Sequence, residues 1–248
     1  MNRFFVTEEQ LKSEIIRIVG EDYNHIRNVL RMKQGEEVLL SSGGDKEYLC
    51  TIVGYTEEEV LLQITDVFGN ARELPTKITL FQGYPKGDKM ETIVQKAVEL
   101  GVYEIIPVMM RRCVVKLDEK KASKKVERLN AIALNAAKQS KRGIVPCVRD
   151  VMNLADAVKY ASDMDLVILP YENAEGMNYA REVIASVNGK SHIGVFIGPE
   201  GGFEASEVEQ IEAIGGKTIS LGHRILRTET AGMTILSLLM FQLEKDEK

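Results

Sequence analysis

The chain has 248 residues, 44% of them apolar and 28% charged, with three cysteines and a net charge of −5. That length and composition support one or two domains with a substantial buried core. They exclude a disordered polymer and a disulfide-built mini-protein, and no apolar run reaches the roughly 18 residues of a membrane-spanning helix.

The charge is unevenly spread. Residues 105–150 hold 12 Lys/Arg against 4 Asp/Glu, so an acidic protein carries one basic segment able to attract a polyanion. A solvated lysine-rich helix accounts for the same residues. The first ten residues, MNRFFVTEEQ, turn acidic before a secretory leader could develop. Cys50, Cys113 and Cys147 have no CxxC spacing. Buried thiols in a reducing, cytoplasmic compartment are the expectation, with no metal site.

In chain order, residues 1–70 form a small β-rich unit. Strands are predicted at 38–40, 48–55 and 60–67, separated by the turn-forming SSGGDKE and TEEE. One helix is predicted at 22–31, where Ile26, Val29 and Leu30 share a face. The run FGNARELPT has Gly69, Asn70 and Pro75 and few apolar anchors, which places a linker at 71–76.

From 77 to 248 strands and helices alternate. Strands are expected at 78–83, 104–108, 165–169, 193–197 and 218–221. Helices are expected at 89–100, 122–141, 154–161, 177–187, 206–214 and 229–243. Asp88 and Gly101 are placed to cap the first of these helices. The last, around Ile235, Leu236, Leu239 and Phe241, is apolar on more than one face and must be buried in the core or against a second subunit. This alternation implies a mainly parallel α/β sheet covered on both sides, with ligands bound beyond the carboxyl ends of its strands.

Four loops leave those ends: PKGDK (85–89), PYENAEG (170–176), GPEGGF (198–203) and GHRILRTET (222–230). GPEGGF is neither a P-loop nor a dinucleotide fingerprint, because its glycines are wrongly spaced and no Lys-Ser/Thr pair follows. Glu200 would repel a pyrophosphate, so the loop suits a neutral or cationic ligand held by backbone groups. A tight strand-to-helix turn with Glu200 at the surface explains it as well. In the last loop, Arg224 and Arg227 follow Gly222, and Thr228 is positioned to cap the next helix. Arg227 suits either a functional role or a salt bridge.

Covalent and metal chemistry find no support. His25, His192 and His223 are far apart, and His192 reads as a packed histidine beside a strand. No G-x-S-x-G elbow occurs. A nucleotide-dependent enzyme would need the phosphate loop that is missing.

Taken together, RFFV, HIRNVLRMKQGEEV, QGYPKGDKMETIVQKAVELGVYEIIPV, RCVVKL, AAKQSKR, FIGPEGGF and SLGHRILRTETA resemble the bacterial small-subunit (16S) ribosomal RNA uridine-N3 methyltransferases of the SPOUT class. The stretches span nearly the whole chain in the family's order; Met109-Met110-Arg111 departs from the more polar residues common there. The resemblance implies a PUA-like β-barrel, a methyltransferase domain with a trefoil knot, S-adenosylmethionine as donor, and a homodimer acting on ribosomal RNA in an assembled or nearly assembled subunit. It implies donor binding by Leu169, by Gly198, Pro199, Glu200, Gly201 and Gly202, and by Leu221, Gly222, Ile225, Leu226, Thr230 and Ala231. Arg227 would stabilise charge on the uracil ring, with Glu229 as a candidate base. Arg3, Arg31, Lys86, Lys89, Lys138, Lys141 and Arg142 are the expected RNA contacts. A non-catalytic RNA-binding or assembly factor on the same fold is the alternative.

Overall fold

The computed structural model describes residues 1–44, 46–69, 72–174 and 176–244; Ala71, which opens the predicted linker, and Asn70 before it lie outside them. Two compact units result: Met1–Glu73 with Ala137–Val145, and Leu74–Ala136 with Pro146–Lys248.

The first unit contains β1 (Arg3–Phe5), α1 (Glu8–Leu11), β2 (Ile16–Ile18), α2 (Gly20–Asn24), β3 (Glu37–Ser41), β4 (Lys46–Tyr55) and β5 (Val60–Gly69). Its sheet runs β1-β3-β4-β5-β2, antiparallel except for the β1–β3 pair. Alternate residues of these strands, among them Val38, Leu40, Cys50, Ile52, Val60 and Leu62, fill one core with Phe4, Ile16 and Ile18. The predicted helix at 22–31 is α2 continued by a π-helical turn, His25–Val29, whose Ile26 reaches that core. β1, α1 and β2 were not foreseen. Strands of three residues are too short to show a period, although Thr7 and Gln10 do form the capping box that starts α1.

The second unit contains β6 (Lys77–Gly83), α3 (Lys89–Glu99), β7 (Glu104–Met109), α4 (Glu119–Gln139), β8 (Cys147–Val148), β9 (Met152–Asn153), α5 (Leu154–Ala161), β10 (Leu166–Pro170), α6 (Met177–Ala185), β11 (His192–Ile197), α7 (Ala205–Ala213), β12 (Lys217–Ile219) and α8 (Thr228–Leu243). The end of α4, from Ala137, clusters with the first unit. All pairings are parallel, in the order β12-β10-β11-β6-β7-β8, with β9 also on β7. One face packs Phe81, Ile106, Val167 and Phe196 against Leu154 and Ala157 of α5 and Val208 and Ile211 of α7. The rings of Phe81 and Phe196 stack 4.3 Å apart. α8 contacts α3, α6 and β11.

Local chemistry explains the element ends. Helix α3 closes on Gly101 at φ +90°, with Val102 N–H donating to Ala97 O and Gly101 N–H to Val98 O, the double bond of a Schellman motif. Asp88 stands at its N-cap position without a side-chain hydrogen bond. α4 starts three residues earlier than predicted because Asp118 accepts from Lys121 N–H. At the amino ends of the central strands the buried Glu104 carboxylate accepts from Thr79, Arg149 and Tyr160. Burial alone would push its pKa up; the Arg149, Tyr160 and Thr79 bonds outweigh it and hold the group below the usual carboxylate range. Because Thr79 donates to Glu104, it accepts from His192 Nε2, which explains the half-buried histidine.

The cysteines differ from the buried set expected: Cys50 is buried, Cys113 partly so and Cys147 exposed. Among the described residues, no helix is long and apolar enough to cross a membrane.

Candidate functional site

β6 and β11 are neighbours although the chain leaves β6 for β7 and returns later through β10 and β11. Such a switch point opens a crevice at the carboxyl ends of the strands. There, in the second unit, lies a cavity of about 610 Å³. All four predicted loops line it, through Lys86 and Lys89, Pro170–Glu172, Gly198–Phe203, and Ser220–Gly222 with Arg224–Thr228.

Glycine makes the GPEGGF turn possible. Gly202 has φ +69°, and its N–H bonds to Pro199 O at 2.9 Å. A Cβ on Gly198 would lie 3.1 Å from the backbone of Gly202 and from the Phe203 ring, so the loop folds back on itself. Just beyond, the buried Glu207 carboxylate accepts from the N–H groups of Glu204 and Arg111, and Arg112 donates to Gly201 O at 2.9 Å.

Glu200 is answered by the PKGDK loop. Its carboxylate accepts from Lys89 Nζ at 2.8 Å and from Lys86 N–H at 3.2 Å. Partial burial would raise its pKa, but the Lys89 bond, followed by backbone N–H groups of Glu200 and Lys86, keeps it below the ordinary carboxylate range. Lys89 also stands 3.9 Å from Glu229. Lys89 is therefore paired, and the walls carry Glu172 and Glu200 beside Lys86, Arg224 and Arg227, with Ile197, Pro199, Leu221 and Leu226 as apolar surface. The cavity fits a ligand with an apolar body, and its walls hold charges of both signs.

Of the residues expected at the donor, Gly198, Pro199, Glu200, Gly201, Gly202, Leu221, Gly222, Ile225, Leu226 and Ala231 line the cavity. Leu169 does not: it points into the core, and Pro170, Tyr171 and Glu172 take its place. Thr230 is exposed outside it. Glu229 is also outside the lining, its carboxylate 3.9 Å from Lys89 Nζ. Arg227 lines the cavity, and among the described residues it makes no salt bridge. Thr228 is not the cap foreseen. α8 begins on it, Arg227 holds the N-cap position, and the Thr228 hydroxyl donates to Gly198 O at 2.6 Å.

The expected RNA contacts divide. Arg3 is buried in an ion pair with Glu47, and Arg142 in one with Glu73, so neither guanidinium is offered to a phosphate. Lys138 pairs with Asp22 at 2.8 Å. Lys86 is exposed at the cavity, and Arg31 and Lys141 are exposed in the first unit, both with left-handed backbones at φ +53° and +58°.

Known proteins are similar to this chain in sequence and fold. A family model described as an RNA methyltransferase domain matches residues 72–240, and one described as an RNA methyltransferase PUA domain matches 18–65. Fold and cavity thus define the class, an RNA methyltransferase with an appended PUA domain. A ribosomal RNA small subunit methyltransferase E from Bacillus subtilis is 38% identical, with 98% of each chain covered; its counterpart from Aquifex aeolicus is 32% identical over 95% of this chain and 98% of its own. The crystal structure of the Neisseria gonorrhoeae enzyme of that name, bound to S-adenosyl methionine, superposes with a TM-score of 0.81 at 29% identity, covering 97% of both chains. The chain belongs to the ribosomal RNA small subunit methyltransferase E family.

Proposed function

We propose that this protein methylates N3 of a uridine in small-subunit ribosomal RNA, with S-adenosylmethionine as donor. The observation that carries the reading is the cavity at the switch point, where apolar groups line the walls, Lys89 is paired with Glu200, and Arg227, among the described residues, makes no salt bridge. Gly198–Gly202, Leu221, Gly222, Leu226 and Ala231 would hold the donor, backbone groups meeting its polar edges and apolar side chains its rings. When bound, the donor supplies an electrophilic methyl on a sulfonium centre. Lys89 and Glu200 neutralise each other, so Lys89 sets no bare positive charge against the donor's sulfonium.

The protein's own contribution is placement and charge. Uridine N3 must lose its proton, which leaves negative charge on the uracil oxygens. Arg227, fixed at the start of α8 and lining the cavity, stabilises that charge. Holding the acceptor nitrogen in line supplies much of the remaining acceleration.

The first unit is assigned to RNA binding through Arg31 and Lys141, with Lys86 at the cavity. The proposal includes a homodimer in the cytoplasm and a knotted C-terminal segment. Leu238 and Phe241 support a dimer, since both stand exposed on α8. The non-sequential strand order, with residues 221–228 reaching the Gly198 loop, supports the threading.

Mass-spectrometric mapping of ribosomal RNA from cells with and without the gene tests the reaction. One uridine should lose an N3-methyl group; an unchanged map would refute the proposal.

A further inference from the structure

The last residue but one of strand β6 is Gln82, a wholly buried polar side chain with no part in the chemistry set out above. Its Nε2 lies 2.8 Å from Thr228 Oγ1 and 3.0 Å from Gly83 O. Thr228 Oγ1 lies 2.6 Å from Gly198 O, which can only accept, so the hydroxyl proton points there. The hydroxyl must then accept from Gln82, and the two acceptors facing Nε2 fix which end of the amide is nitrogen. The relay runs one way: amide to hydroxyl to carbonyl.

Its three members belong to three segments, the end of β6, the first residue of the GPEGGF turn and the first residue of α8. The same peptide is pressed from behind, because a Cβ on Gly83 would lie 2.6 Å from Pro199. Arg227 immediately precedes Thr228, so whatever fixes Thr228 also fixes the arginine's backbone.

We propose that Gln82 and Thr228 are positioning residues, which hold the Gly198 carbonyl and the Arg227 backbone in a single register and so set donor affinity and turnover together. The inference rests on the methyl-transfer reading above. Its rival is simple core filling, since both side chains are buried. The two differ over what loss of the hydroxyl does. Thr228→Val keeps the volume but leaves Gly198 O and a Gln82 N–H without partners; Thr228→Ser keeps the relay.

The test is calorimetric titration of S-adenosylmethionine into the full-length variants, with kcat on unmethylated small subunits, well below each variant's melting temperature. Thr228→Val should raise the donor Kd about tenfold and lower kcat by a similar factor. Thr228→Ser should recover most of both. Gln82→Met should lie between, and adding it to Thr228→Val should cost nothing further, because one relay is broken once. Normal Kd and kcat in Thr228→Val, with only a lower melting temperature, would overturn the inference. So would additive effects in the double variant. Should Thr228→Val not fold, Gln82→Met alone decides, a normal Kd again overturning it. Failure of the unmodified protein to bind the donor would instead bring down the methyl-transfer reading, and this inference with it.

Discussion

Gly83→Ala offers a steric probe of the donor loop from behind. A methyl group there would sit 2.6 Å from both Cδ and N of Pro199 and 2.9 Å from the carbonyl carbon of Gly198. Ordinary contact begins at 3.4 Å, so about 0.8 Å must be found. The obstacle is loop backbone and a proline ring, neither of which can rotate aside. Overpacking of this kind costs about 1–3 kcal/mol. If the loop yields in place of the strand, most of that cost enters donor binding, a rise in Kd of about 5- to 150-fold. Gly189→Ala is the control. It stands at φ +79° with nothing within 4 Å, in the turn before the amino end of β11 and so away from the cavity. Backbone strain there costs about 1–2 kcal/mol of stability. Calorimetry with S-adenosylmethionine and thermal melts on both variants should separate the effects: lost affinity for Gly83→Ala, lost stability alone for Gly189→Ala. Unchanged donor affinity in Gly83→Ala would refute the idea that this contact shapes the loop.

Arg227→Ala should lower kcat by about 100-fold or more while donor binding survives, as for removal of one charge-stabilising donor; calorimetry beside turnover assays checks it, and loss of binding alone would defeat the assigned role. Glu200→Gln removes the partner of Lys89. Because the Glu200 pKa is depressed on folding, its stabilisation is fully present above the ordinary value of 4.5 and fades as pH falls through the lower folded value. The melting difference between wild type and Glu200→Gln should therefore be full at neutral pH and close below about pH 4.5; a gap that widened on acidification would contradict the sign. Iodoacetamide should label exposed Cys147 first and Cys50 last, since burial pushes the Cys50 thiol up to about 12; peptide mapping of partly labelled protein reads the order.

Much of the second unit was legible because its elements are long enough to show a period and end on recognisable signals, such as Gly101 after α3. The convergence of four loops followed from strand direction alone. Charge misled more than hydrophobicity did. Nothing in the sequence separates Arg31, which faces solvent, from Arg3, which is buried against a glutamate 44 positions away. The same holds for Arg142 and Glu73, and residues 137–145 return to the first unit through contacts that no local pattern announces. Thr228 was read by its position before an apolar helix, the usual place of a cap. Its hydroxyl was claimed instead by Gly198, a partner 30 residues away. Leu169 illustrates the finer limit: strand alternation decides whether a terminal residue faces core or cavity, and one position of uncertainty reverses the answer.

The left-handed backbones of Arg31 and Lys141 carry a consequence for any effort to toughen this protein. Glycine would relieve about 1–2 kcal/mol at each position, less the entropy it adds to the unfolded chain. Heat challenge alone would thus reward variants that discard the two exposed cations assigned to the ribosome. Selection for durability and selection for work pull opposite ways at these two sites, so a thermostable library should be screened on RNA retention as well as on melting.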